Sequence, residues 1–150
     1  MRTELARPSD LPELREMIRA LSAFHNDEAQ VTLERLQHLF FAPDARSVAL
    51  VARDGPRIVG YAGLNLVPTL HSGAMRLDIQ HLFVVDTHRA KGVGRALIDL
   101  AATVARDAGA KGMTIGTDPN NLSAQAAYRA MGLEEITDAG PRFWIPLEGQ

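Results

Sequence analysis

This 150-residue chain contains no cysteine, no long apolar run and no large excess of charge of either sign. Without cysteine there is no disulfide framework, no cysteine-ligated zinc site and no mechanism through a cysteine thioester. No run approaches the ~20 apolar residues of a membrane-spanning helix, and no apolar segment typical of a secretory signal follows the first residues. The net charge of −2 is unlike that of a phosphate-neutralising nucleic-acid binder. We therefore expect a cytoplasmic protein that binds neither membranes nor nucleic acid.

The composition that is present is typical of a folded globular domain. Hydrophobic residues make up 46% of the chain and charged residues 23%, so a disordered tail or a fibrous repeat is excluded. A chain of this length can bury an ordinary core without disulfide or metal staples. We expect residues 1–150 to form one domain.

Two hydrophobic periodicities alternate along the chain. Strand-like alternation predicts strands over residues 3–7, 47–53, 58–66, 75–85, 112–117, 133–137 and 142–146. Helical spacing predicts helices beginning near residues 10 and 32, and helices over 93–105 and 122–131. Strands that first pair locally and then alternate with helices are typical of a three-layer α/β or α+β domain.

A glycine-rich turn at residues 89–95 (RAKGVGR) lies between the longest predicted strand and the most regular amphipathic helix. Glycines allow close backbone approach, and the first amides of a helix have no intrahelical partner, so the turn is suited to a phosphate or pyrophosphate. It is not a Walker A loop, and Leu97 occupies the third glycine position of the dinucleotide fingerprint. The alternative is that two glycines only ease a tight turn.

A second segment, residues 120–133 (NNLSAQAAYRAMGL), predicts a short capped helix that ends at a glycine. Ala124 and Tyr128 share one face of this helix, since they are four residues apart. A small residue at 124 would let a ligand lie beside the tyrosine. The alternative is a core tyrosine whose hydroxyl reaches the surface.

The two segments, in this order and about thirty residues apart, resemble the GCN5-related N-acetyltransferase (GNAT) superfamily. Residues 89–94 match its Gln/Arg-x-x-Gly-x-Gly/Ala motif, and Asn121-x-x-Ala124-x-x-x-Tyr128 is similar to its later Asn-x-x-Ala-x-x-x-Tyr element. The resemblance covers nearly the whole chain. It implies a mixed central sheet that is splayed between its fourth and fifth strands and carries helices on both faces.

The resemblance also implies that the splay holds the pantetheine arm of acetyl-CoA. The strand-four positions that would pair with the arm, and whose amide would polarise the thioester carbonyl, are Leu82, Phe83 and Val84. The matching pyrophosphate residues are Arg89, Ala90, Lys91, Gly92, Val93, Gly94 and Arg95. Asn121 would hydrogen-bond the pantetheine. Tyr128 would stand beside the sulfur as the general acid, because a neutral phenol can donate a proton at pH 7.

The general base is less clearly marked. Many relatives carry a strand-four glutamate where this chain has Gln80 and His81, and a glutamine cannot act as a base. Asp78, His81 and a chain of water molecules remain as candidates. Histidine has the intrinsic pKa best suited to neutral pH, although His81 can equally be a half-buried strand residue. Strand alternation places Asp78 and His81 on opposite faces unless a bulge intervenes.

The acceptor wall that relatives build between their first two helices corresponds here to Phe24, His25, Asp27 and Glu28. The two acids could attract a cationic amine, or they could be ordinary solvated surface. His38 and His71 have no spacing that suggests a metal, and we predict no metal site.

We therefore predict an acetyl-CoA-dependent N-acetyltransferase that acts directly on a small-molecule or peptide amine in a ternary complex. One alternative is a non-catalytic acyl-CoA-binding or regulatory module of the same fold, and another is a plain nucleotide binder. Because relatives often dimerise through the end of the sheet, Phe143 and Trp144 in the last predicted strand make a homodimer possible. A core role explains these two aromatic residues equally well.

Overall fold

The computed structural model describes residues 1–24 and 30–147, and of Phe24 it describes the backbone only. Two compact units are present, Met1–Asp118 and Pro119–Gln150, and the expectation of one domain stays a prediction. The first unit contains β1 (Arg2–Leu5), α1 (Leu11–Phe24), α2 (Leu33–Phe41), β2 (Ser47–Asp54), β3 (Arg57–Thr69), β4 (Ala74–Val84), α3 (Val93–Asp107) and β5 (Ala110–Ile115). The second unit contains α4 (Leu122–Ala130).

The five strands form one mixed sheet in the order β1-β2-β3-β4-β5. The first four strands are antiparallel to their neighbours, while β5 runs parallel to β4. Helix α3 makes the connection between those two parallel strands, as a parallel pair requires. The predicted mixed sheet is confirmed.

Helices cover both faces of this sheet, as predicted. On one face Leu14 and Ile18 of α1 and Leu36 of α2 pack with Val51 and Tyr61 in a buried cluster. The other face receives α3, whose buried residues are Val93, Leu97, Ile98, Ala101 and Ala105. These α3 positions follow the i, i+3, i+4 spacing, which is why one side of the helix is apolar.

An ion-pair cluster joins β1, β2 and the turn that precedes α1. The Arg53 side chain, which is 10% exposed, donates to Glu4 Oε1 at 2.5 Å and to Asp10 Oδ2 at 2.6 Å. Asp10 also accepts the Arg7 backbone N–H at 2.8 Å. Burial acts to raise the pKa of Asp10, but the hydrogen bonds from Arg53 and Arg7 outweigh it and hold that pKa below its usual value. The hydrogen bond from Arg53 likewise lowers the pKa of Glu4.

The second unit departs from the sequence-based expectation after α4. Asn121 caps this helix through its side chain, which accepts the Ala124 N–H at 3.1 Å. The strands predicted over 133–137 and 142–146 are wrong: through residue 147, the described chain after α4 contains no strand. Alternation shows only that a segment can bury one side, whereas a strand also needs a partner for its backbone groups. Proline at 141 and 146 further removes two ladder donors.

None of the described helices has the length and apolarity needed to cross a bilayer. The cytoplasmic location stays a prediction.

Candidate active site

Strand β4 has two halves with different neighbours. Its first half lies between β3 and β5, and pairing with β5 runs from Met75 to Ile79. Its second half continues to Val84, with Leu82 opposite Ala62 and Phe83 opposite Tyr61. Among the described residues, those that pair with β4 beyond Ile79 all belong to β3, so the pairing between β4 and β5 ends at Ile79 and Ile115. This end of pairing agrees with the splay expected between the fourth and fifth strands.

A β-bulge separates the two halves of β4. Ile79 pairs with Leu64 and His81 pairs with Gly63, so Gln80 is the extra residue. Directly paired residues share a face, and alternate residues of β3 also share one. Asp78, which pairs with Asn65, therefore lies on the same face as His81. The bulge thus places the two candidate bases on one face of β4, whereas simple alternation predicted opposite faces.

His81 is held next to Tyr61 of β3. A hydrogen bond joins the Tyr61 hydroxyl and His81 Nδ1 at 3.4 Å, and the two rings meet edge to face with centroids 6.1 Å apart. Tyr61 is 2% exposed, and burial raises the pKa of its hydroxyl. A Cβ atom on Gly63, the residue opposite His81, would lie 2.5 Å from this hydroxyl. Glycine at 63 is therefore what gives the tyrosine hydroxyl its space.

Uncharged polar side chains form a short chain of hydrogen bonds across the same face. Ser47 Oγ donates to Asn65 Oδ1 at 2.7 Å, and Asn65 Nδ2 donates to Gln80 Oε1 at 3.0 Å. On the neighbouring strand, Thr114 Oγ1 donates to Asp78 Oδ1 at 2.7 Å. Asp78 is therefore already engaged with β5. Sequence reasoning did not single out Tyr61, Ser47, Asn65 or Thr114, because only strand register brings them to the candidate bases.

A cavity of about 150 Å³ lies on this face, between the sheet and helices α1 and α2. Tyr61, Asn65, Gln80 and His81 line it from the sheet side. The predicted acceptor residues His25, Asp27 and Glu28 lie outside the described residues, as does the side chain of Phe24.

The glycine-rich turn enters α3 through two left-handed residues. Gly92, the N-cap of α3, has φ +84°, a value that strongly favours glycine, and Ala90 has φ +59°. The first intrahelical bond runs from Ala96 N–H to Gly92 C=O, so the preceding amides open the helix without helical partners. Gly94 differs from Gly92: its φ is not positive, and an added Cβ would meet only Leu82 Cδ2, at 3.8 Å. Nothing in the described fold therefore requires glycine at 94.

The basic residues of the turn have different surroundings. Arg89 Nε donates to the Val84 carbonyl at 3.0 Å, and its guanidinium pairs with Asp86 at 2.6 Å. This places Arg89 at the end of the half of β4 that does not pair with β5. Arg95 Nε lies 3.4 Å from Asp99 Oδ1 on the next turn of α3. Lys91 is exposed. The turn thus combines helix-opening amides with three cationic side chains.

In the second unit, Tyr128 and Ala124 lie on one side of α4, as predicted. Tyr128 is half-buried, and burial raises the pKa of its hydroxyl. The phenol therefore remains protonated at neutral pH and can donate a hydrogen bond or a proton. The oxygen of the Asn121 side chain serves as the helix cap described above.

Across the described ranges, no group of three or more potential metal-binding side chains occurs.

Comparison with known proteins gives a consistent result. The profile of the acetyltransferase (GNAT) family matches residues 12–133. N-acetyltransferase 8B of Rattus norvegicus is 31% identical over 125 residues, which cover 83% of this chain and 54% of that protein. Thialysine N-epsilon-acetyltransferase of Bos taurus is 24% identical over 155 residues, covering 97% of this chain and 91% of that protein. The chain spans about half the length of several curated relatives, the rat protein among them.

A similar fold occurs in solved structures. An aminoglycoside acetyltransferase from an uncultured soil metagenomic sample, crystallised with sisomicin, superposes with a TM-score of 0.80 at 21% identity. The aligned region covers 98% of this chain and 96% of that one. At this identity the likeness concerns the fold.

Proposed function

The chain belongs to the acetyltransferase (GNAT) family, and from this we propose that it transfers the acetyl group of acetyl-CoA to a primary amine of a small molecule or peptide. The transfer is direct, within a ternary complex, since a chain without cysteine cannot form an acetyl-cysteine intermediate. The observation that carries the proposal is the half of β4 that pairs with β3 but not with β5, which leads into the glycine-rich turn at the start of α3.

The residues at this edge of the sheet and in the turn fit acetyl-CoA. Leu82, Phe83 and Val84 border this edge of the sheet, and the backbone groups there that bond neither to β3 nor to Arg89 can bind an extended pantetheine arm as a further strand would. The α3 amides, with Lys91 and Arg95, suit the pyrophosphate. Glycine at 94 is explained by close approach of this ligand, since neither backbone conformation nor packing demands it. Bound there, acetyl-CoA supplies an activated thioester.

We propose His81 as the general base. An amine with a pKa near ~10 must lose a proton before it attacks, and a neutral imidazole can take it. If Nδ1–H donates to the Tyr61 oxygen, Nε2 carries the lone pair. Tyr61 then positions the ring without itself titrating near neutral pH, because burial raises its pKa. Asp78 is the weaker candidate because it already accepts a hydrogen bond from Thr114.

We assign the proton for the departing thiolate to Tyr128, which lies in a motif that matches the family. Burial raises the pKa of its hydroxyl and so keeps it protonated. As the new C–N bond forms and the thioester C–S bond breaks, the amine proton goes to the base and the phenol proton goes to sulfur. The tyrosinate then regains its proton from solvent. Asn121 is proposed to bind the pantetheine.

The deciding experiment measures thiol release from acetyl-CoA with a panel of amines. Release that depends on the amine supports the proposal, whereas tight acetyl-CoA binding without turnover on any amine would favour a non-catalytic module. ATP or NAD protecting the chain from heat at least as well as acetyl-CoA would favour a nucleotide binder. With an active amine, His81→Ala should abolish the loss of rate at acid pH, and an unchanged pH profile would assign the base to Asp78 or water.

The cofactor assignment is tested separately by Gly94→Val. We expect acetyl-CoA binding to be lost while the thermal unfolding midpoint stays within a few degrees, because a Cβ at 94 meets only Leu82 in the protein. Gly112→Val is the matched control, since an added Cβ there meets nothing within 4 Å. Near-normal affinity of the Gly94 variant would remove the phosphate assignment.

We also propose a homodimer. Phe143, Trp144 and Leu147 lie close together in the sequence and are 86%, 87% and 91% exposed. Contiguous exposed apolar surface is typical of an interaction site. Light scattering should give twice the chain mass. Trp144→Ser should shift the protein toward monomer, and a monomeric parent protein would refute the proposal.

A further inference from the structure

The cavity on the α1/α2 face of the sheet indicates which kind of amine the site accepts. Its helical side is formed by apolar side chains, among them Ile18, Leu36, Leu39 and Phe40. Its sheet side carries the Ser47–Asn65–Gln80 hydrogen-bond chain and His81. The cavity therefore has an apolar wall facing a polar one, and His81, the proposed base, belongs to the polar wall.

Formal charge is scarce among the described residues of this cavity. None of those that line it is an aspartate, glutamate, lysine or arginine. Each ammonium group of a polycationic acceptor would have to lose water here, and the described lining residues offer it no carboxylate. An uncharged apolar substituent would lose no such hydration and would gain burial against α1 and α2.

The size of the cavity limits that substituent. A protein cavity of ~150 Å³ lined by leucine, isoleucine and phenylalanine is large enough for benzene. The cavity here has about that volume, 150 Å³. We propose that the acceptor is a primary amine carrying one compact apolar group of about six carbons, which occupies the apolar side while the amino group lies at His81. This inference rests on the proposed acetyl transfer and names its substrate class.

The test uses the full 150-residue chain, acetyl-CoA and four amines with thiol release as the readout. Cyclohexylmethylamine carries the expected group, ethylamine lacks it, adamantylmethylamine carries a larger cage, and spermidine is a polycation. The first three have similarly basic amino groups, so differences among them report on the apolar group. Burying six carbons should give cyclohexylmethylamine a kcat/KM roughly 10- to 100-fold above that of ethylamine.

Variants at Leu39 test whether this cavity is responsible. Leu39→Trp fills it, and should lower kcat/KM for cyclohexylmethylamine at least about tenfold more than it lowers kcat/KM for ethylamine. Leu39→Ala enlarges it, and should raise the ratio of adamantylmethylamine to cyclohexylmethylamine activity about fivefold or more. A gain of activity on the larger amine cannot come from a damaged fold. Leu33→Trp, on the same helix but outside the cavity, is the control and should change neither amine's rate.

The outcomes separate this inference from the proposal on which it rests. If none of the amines supports thiol release, the proposed function is overturned, and this inference with it. Release that is fastest with spermidine, or equal for ethylamine and cyclohexylmethylamine, leaves the acetyltransferase standing and overturns the apolar acceptor. A preference for cyclohexylmethylamine that neither Leu39 variant alters also overturns the assignment of the apolar group to this cavity.

Discussion

Gly60 sets the distance between α3 and the sheet, and replacing it with alanine tests that contact. An added Cβ would lie 2.9 Å from Val93 Cγ1, 3.2 Å from Leu97 Cδ1 and 3.4 Å from the Phe83 carbonyl oxygen. Carbon atoms pack best at about 3.5–4.0 Å. The Cγ1 atom of Val93 is attached directly to Cβ and cannot swing away as the end of a long side chain could, so relief of the contact requires a shift of α3.

The expected cost follows from these contacts. Overpacking of this kind costs about 1–3 kcal/mol, and the lower chain entropy of unfolded alanine offsets about 0.4–1 kcal/mol. We expect a net destabilisation of about 1–2 kcal/mol by urea unfolding, or roughly 3–6 °C in Tm for a chain of this length. Acetyl-CoA affinity should also fall several-fold, since Val93 is the first residue of α3 after the Gly92 N-cap.

Two further variants make this prediction decisive. Gly112→Ala adds the same methyl group to a strand where nothing lies within 4 Å, and it should be neutral or slightly stabilising. Val93→Ala removes the atom that Gly60→Ala would strike, so the double variant should be more stable than the sum of the two single changes predicts by at least about 0.5 kcal/mol. Equal stability of the two glycine variants, or strict additivity with Val93→Ala, would refute the reasoning.

Three other predictions concern the acid, the ion-pair cluster and the turn. Tyr128→Phe should lower kcat about 10²-fold with little change in acetyl-CoA affinity, and an unchanged rate in the thiol assay would end its role as acid. Arg53→Met should cost about 3 kcal/mol at pH 7 by leaving Asp10 unpaired. Because the folded state lowers the pKa of Asp10, this stabilisation is present above the unfolded-state pKa and is lost as pH falls below about 4. In urea titrations, the difference in free energy of unfolding between the parent protein and the variant should therefore be smaller at pH 3 than at pH 7. An equal difference at both pH values contradicts the role of the cluster. Ala90→Gly should stabilise the protein by about 0.5–1 kcal/mol, because it relieves the strain of a left-handed backbone at a residue with a Cβ atom. Ala102→Gly, inside α3, should destabilise the protein by about 1 kcal/mol. A loss of stability in both variants would contradict the assigned strain.

The elements that could be predicted from the sequence are those whose pattern is decided locally. Helix α3 has a complete apolar stripe, and its start at Gly92 and end near Gly109 are marked by residues with positive φ. The β2–β3 hairpin was indicated by two alternating segments around Asp54–Gly55. In both cases one short stretch of chain holds the whole signal, so no distant contact was needed to interpret it.

The features that could not be predicted depend on register between strands. The extra residue in β4, Gln80, can be recognised only from the pairing with β3, where Leu64 and Gly63 lie opposite Ile79 and His81. The Tyr61–His81 contact joins residues twenty positions apart and also needs the space left by Gly63. The two strands wrongly predicted after α4 fail for a related reason, since alternation along one segment contains no information about its neighbour.

The bulge at Gln80 decides on which face of β4 the side chains after Ile79 lie. Leu77 and Ile79 keep one phase of the strand, and the extra residue shifts Leu82 into that same phase. Two adjacent polar residues, Gln80 and His81, follow the alternating stretch from Arg76 to Ile79 and mark the position of this shift. A regular ladder that kept all three residues, with Gln80 opposite Gly63, would turn the following side chains to the opposite face, so the imidazole would exchange places with the leucine beneath α3. Deleting Gln80 would instead keep His81 opposite Gly63 and leave each later side chain on its present face, so the extra residue is what reconciles this sequence with its pairing on β3.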